Sequence, residues 1–201
     1  MKNLIRVSAI LGAAIMGIST AGVGVASAAT IDNGSNGQTD ANVNLEVDEN
    51  NAQYKLTNAP EFDFGTHTIG AAAMNLQAAT VVDNLRVENP GLQSGWVVTA
   101  RAKNFDDLSG NALNGAYLTL KGESQAEDSN NISTAPISDT VQLNSADTPI
   151  FHANPGGGLV AWTSVFSPND TSAVLHIPDG NSEGTYTAAI TWEIQDAPSA
   201  S

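Results

Sequence analysis

The feature that most limits the fold of this chain is a rhythm of interruptions. Short runs of β-branched and apolar residues alternate with clusters of Gly, Asn, Asp and Pro, among them "ENPGLQSG", "DDLSGNALNG", "HANPGGG" and "PDGNSEG". No segment sustains an apolar repeat of about 3.6 residues, the mark of an amphipathic helix. The runs predict strands at Val43–Val47, Thr80–Val87, Trp96–Ala102, Tyr117–Lys121, Leu159–Phe166, Ala173–Ile177 and Thr185–Ile194. The stretch "IGAAAMNLQAA" (Ile69–Ala79) suits either a short helix or an extended crossing. Many short strands at this spacing predict one all-β domain with little helix, a β-sandwich or a related barrel.

Side chains alternate between the two faces of a strand. In "GTYTAAITWEIQDAP", Tyr186, Ala188, Ile190, Trp192 and Ile194 share an apolar face, and Thr187, Ala189, Thr191, Glu193 and Gln195 share a polar one. Pro198 has no N–H to donate and is expected to end the pairing. In "GWVVTARAKNF", Trp96, Val98, Ala100 and Ala102 fall on one face, and Val97, Thr99, Arg101, Lys103 and Phe105 on the other. Val160, Trp162 and Phe166 align in the same way, with Ser164 interrupting them. Trp96, Trp162 and Trp192 are therefore expected in the core, since a large aromatic on an apolar strand face is usually buried.

The first residues read as a secretory signal peptide. Lys2 and Arg6 precede an apolar stretch from Val7 to Val25, which ends at Ala26-Ser27-Ala28, a small-x-small cleavage pattern. The expected organisation is a signal peptide at 1–28, a flexible polar segment at 29–42, the folded domain at 43–198 and a tail at 199–201. The chain holds 7 Lys+Arg against 21 Asp+Glu, and losing Lys2 and Arg6 would make its net charge of −14 two units more negative. Such acidity opposes binding to nucleic acid or to anionic lipid. No insertion into a membrane is expected after cleavage. With no cysteine, the chain has no disulfide framework, thiolate chemistry or lipidated cysteine. No LPxTG-like sorting motif occurs, so retention on a cell would have to be non-covalent.

At this point the chain resembles the WxL-domain proteins of Gram-positive cell surfaces. That family carries two Trp-x-Leu motifs, one in mid-domain and one in the last strand, the second followed by Asp-Ala-Pro. Here they stand as Trp96-Val97-Val98, inside "VVDNLRVENPGLQSGWVVTARAKNF", and Trp192-Glu193-Ile194, before "QDAP". "FDFGTHTI" (Phe62–Ile69) and "VLHIPDGNSEGTYTAAITW" are similar to further family segments. Val98 and Ile194 replace the family's Leu, both apolar and branched. The resemblance implies a secreted protein attached non-covalently to the cell wall, with peptidoglycan as ligand. It also implies protein partners, namely a membrane-anchored surface protein and other WxL proteins.

Candidate contacts come from the polar face of the first motif strand. Arg101 and Lys103 lie there beside Phe105, a small cationic spot suited to carboxylates or phosphates. The same residues also suit an ordinary solvated strand face. Tyr117, on a face with Thr119 and Lys121, suits stacking on a sugar ring or a cross-strand pair. Asp179, Asn181 and Glu183 begin like a calcium loop, but its twelfth position is Ile190, so a turn is expected and no metal site. His67, His152 and His176 are scattered, and no HExxH, GxSxG or phosphate-loop motif is present. The expectation is a protein without cofactor that is not an enzyme. The rival readings are a structural subunit or adhesin held by a protein partner, and a glycan hydrolase with paired carboxylates.

Overall fold

The computed structural model describes residues 30–32, 36–38 and 43–197. The expectations for the signal peptide, Pro198 and the tail lie outside them. The chain divides into two units at Glu46/Val47. In the first, β1 (Thr30–Asp32) pairs antiparallel with β2 (Asn36–Gln38). The expectation of a polar lead-in overlooked this hairpin, because backbone pairing needs no apolar side chain. Val43–Val47 is not a strand, and Val43 and Leu45 are exposed.

The second unit is all-β. A single 3-10 turn, Glu49–Asn51, starts where the Asp48 carboxylate accepts from the Asn50 N–H. The strands that follow are β3 (Lys55–Asn58), β4 (Glu61–Asp63), β5 (Met74–Gln77), β6 (Thr80–Val82), β7 (Leu85–Asn89) and β8 (Trp96–Ala102). Next come β9 (Tyr117–Lys121), β10 (Glu123–Ala126), β11 (Ile137–Ser138), β12 (Thr140–Leu143) and β13 (Thr148–Ala153). The last three are β14 (Val160–Val165), β15 (Ala173–Ile177) and β16 (Ile190–Asp196).

These strands form three four-stranded antiparallel sheets, ordered β10-β14-β7-β3, β11-β13-β8-β16 and β12-β9-β15-β5, and the pair β4-β6. None closes into a barrel. β10 lies near β11 and β3 near β16, so the first two sheets meet along both edges, and β12 approaches β13 and β8. One apolar cluster draws on all three sheets, including Leu85, Trp96, Leu120, Val141, Phe151 and Trp162. Alternation explains the burial directly: β9 and β15 bury Leu118, Leu120, Ala173, Leu175 and Ile177 and turn their other side chains outward.

Two sequence expectations change, and one open choice is decided. Thr80–Val87 is two strands, broken where Asp83 takes a left-handed φ of 60°. Ile69–Ala79 is an extended segment that ends in β5. The final strand begins at Ile190 rather than Thr185, because Thr187 is held in a separate bridge to Asp106.

Candidate functional site

The two tryptophan motifs lie on neighbouring strands. In the β8–β16 register Asp196 faces Trp96, Ile194 faces Val98 and Trp192 faces Ala100. The branched residues that close the motifs thus meet at the centre, and the indoles stand at opposite ends. Trp96 and Val98 are fully buried, and Ala100, equally buried, leaves room beside the second indole. Trp192 and Ile194 pack on the same core but remain half-buried. The reason is position: β16 is an edge strand with β8 on one side only.

A glycine-rich loop fixes the buried indoles. Trp96 Nε1–H donates to the Gly158 carbonyl at 3.2 Å, and Trp162 Nε1–H donates to the next carbonyl, that of Leu159, at 2.9 Å. Burying an indole N–H without a partner would be costly, and these two bonds remove that penalty. Gly158 has φ 61°, and a Cβ there would stand 2.5 Å from Ala153 Cβ and 2.7 Å from Trp96 Nε1. Phe151 meets Trp96 edge-on, with ring centroids 5.0 Å apart. Sequence reading missed this loop and Phe151, although "NPGGGL" marked a sharp turn.

The expected cationic spot is arranged differently. Arg101 reaches Asp147 at 2.6 Å and Glu193 at 3.1 Å. Its guanidinium is held above its ordinary pKa, first by the hydrogen bond to Asp147 and then by that residue's charge, with Glu193 adding to both. Lys103 is exposed. Phe105 is half-buried and packs against the core. Val97 and Thr99, placed on the polar face, are buried between the cross-strand neighbours His152 and Gln195, and Pro149 and Glu193.

Tyr117 pairs across strands with His176, and their rings stack with centroids 4.7 Å apart at 25°. His176 Nδ1 lies 2.8 Å from Asn75 Oδ1, which extends the row to β5.

A family model described as WxL domain surface cell wall-binding matches residues 31–198. The chain belongs to the WxL family. No curated protein and no solved structure matches it. Membership places this WxL domain at the cell surface, in a family of binding domains rather than enzymes. No helix among the described residues is long and apolar enough to cross a membrane.

The departures from Leu in the two WxL motifs have a packing reading. Val98 and Ile194 face each other, so both positions require branched apolar bulk, which valine and isoleucine supply. A second ion-paired arginine of the WxL domain, Arg86, was not singled out by sequence. It binds Glu127, reaches Glu88 at 2.5 Å and donates to Thr57 Oγ1 at 2.8 Å. Its hydrogen bond holds the Glu127 carboxyl below the usual carboxylate range. Asn181, in the calcium-like stretch, instead ties two loops together, accepting from the Asn114 N–H at 2.8 Å and donating to the Asn114 and Pro178 carbonyls. No group of three or more His, Asp or Glu among the described residues is placed to hold a metal ion.

Proposed function

We propose that this WxL protein is exported by its signal peptide (1–28) and held non-covalently on the Gram-positive wall, with peptidoglycan as the ligand. The domain at 43–198 carries the attachment, behind the segment at 29–42. The observation that carries the reading is the family match over residues 31–198, spanning both motif strands. The motif residues Trp96, Trp162 and Val98 serve as scaffold, since they are buried, and Trp192 and Ile194 close its edge. Among the candidate contacts, Tyr117 and Lys103 retain solvent access, whereas Arg101 is engaged by two carboxylates.

Sedimentation of the purified protein with Gram-positive walls, intact and stripped of teichoic acids, tests this. Retention on stripped walls is the expected result. A protein left in the supernatant with both preparations would refute direct attachment.

A second reading is a subunit of a surface complex, bound to a membrane-anchored protein or to other WxL proteins. It is favoured by the edge strand β5, which follows an exposed segment at 65–73 and can accept an added strand. A stoichiometric complex formed without affinity for bare wall would select it.

A further inference from the structure

The outward face of the β12-β9-β15-β5 sheet differs from the rest of the molecule. Although the chain holds 21 Asp+Glu, none of the outward positions on these four strands is a carboxylate. Register sets two transverse rows on this face. One is Tyr117, His176 and Asn75, and the next is Gln142, Thr119, Val174 and Gln77. Thr140 and Lys121 form a further outward pair, so the face is built from amides, hydroxyls and a stacked aromatic pair together with Val174 and one lysine.

At the β5 edge the rows run into a groove of about 430 Å³, lined by Asn75, Gln77, His67, Asn169 and Thr171 above the apolar Phe64. This size falls within the roughly 300–1,000 Å³ of small-ligand sites. The Gln77, Asn169 and Thr171 side chains make no hydrogen bond among the described residues, and the Asn75 amide nitrogen is likewise unengaged. Amide side chains both donate and accept. They match a ligand that presents hydroxyl and acetamido groups without net charge. An aromatic pair beside them offers an apolar platform for the C–H face of a sugar ring.

We propose that this face and its groove bind a neutral, β-linked N-acetylhexosamine chain, with Tyr117–His176 as the stacking platform and Asn75, Gln77 and Asn169 as hydrogen-bonding partners. The proposal deepens the wall-attachment reading and rests on it for the source of the glycan. An uncharged ligand also escapes the repulsion that the protein's acidity imposes on anionic polymers.

The test is a solution titration with the tetramer of β-1,4-linked N-acetylglucosamine, followed by amide chemical shifts. The corresponding glucose tetramer, which lacks acetamido groups, is the control. Saturable shifts confined to β5, β9 and β15 with the first sugar, and at least tenfold weaker binding of the second, are expected. The double variant Asn75→Ala/Gln77→Ala, two exposed changes on an edge strand, should lose tenfold or more in affinity at unchanged melting temperature. Absence of saturable shifts, or equal affinity in the double variant, would overturn the proposal. The wall assay separates the two readings. Wild-type and double variant sedimenting equally leaves wall attachment standing and removes this groove. Tetramer binding by a protein that ignores stripped walls keeps the groove and removes the wall as its source.

Discussion

Val98 and Ile194 stand directly opposite one another across β8 and β16, at the point where the two WxL motifs meet. Val98 is fully buried and Ile194 half-buried, so one contact has an inner and an outer member. Restoring the family's leucine should expose the difference. Val98→Leu adds a methylene to a closed site and should destabilise by about 1–3 kcal/mol. Ile194→Leu keeps volume at the edge and should change stability by less than about 1.5 kcal/mol. Urea unfolding of both variants measures it, and equal losses would refute the asymmetry.

The tryptophans should follow the same order. Trp96→Ala removes a buried indole with its hydrogen bond and should cost about 3–5 kcal/mol. Trp192→Ala removes a half-exposed one and should cost roughly half as much. If Trp192→Ala melts like wild type yet loses wall retention, Trp192 is a ligand residue rather than part of the scaffold.

Two glycines with positive φ make a controlled comparison. Gly158→Ala drives a Cβ into Ala153 and the Trp96 ring, whereas Gly110→Ala, at φ 86°, meets nothing within 4 Å. Gly110→Ala should lose about 1 kcal/mol from backbone strain alone. Gly158→Ala should lose distinctly more, with a shift in tryptophan emission. Similar losses for both would mean that the loop yields freely.

Arg101→Ala should leave wall retention within about twofold of wild type, because Asp147 and Glu193 already engage its charge, and exposed ion pairs contribute little. A larger loss in the sedimentation assay would restore Arg101 as a direct contact.

Acid should affect binding before it affects the fold. Glu127, Asp48 and Asp107 have folded pKa values below their ordinary ones, through hydrogen bonds from Arg86, from Asn50 and Asn51, and from Asn111. A depressed carboxylate pKa contributes stability above the unfolded value, which is lost as pH falls through the folded one. The melting temperature should therefore hold from pH 7 to about pH 4.5 and fall below about pH 4. Across the upper window the chain's net charge of −14 becomes less negative, so retention on anionic walls should strengthen. Flat retention from pH 7 to pH 4.5 would refute the electrostatic part.

The strands legible in the sequence were those with apolar alternation. β8, β9 and β15 have the predicted limits, and β14 differs by one residue at each end. β3, β4 and β10–β13 were not foreseen. Glu123–Ala126 and Ile137–Ser138 are short and largely polar, and they are held by backbone pairing that leaves no side-chain period. Thr148–Ala153 carries Pro149 at a register shift, which breaks the pattern. The carboxylates that engage Arg101 were illegible for a related reason. The partners of Arg101, Asp147 and Glu193, lie 46 and 92 residues away, and only tertiary structure brings them to it.

The edge position of β16 has a consequence for biogenesis. β8 gains its second neighbour only when β16, the last strand described, has been made. Any chain cut short before Ile190 would present β8 as a bare template with unpaired N–H and C=O groups. Synthesis must therefore run through Asp196 before this sheet can close.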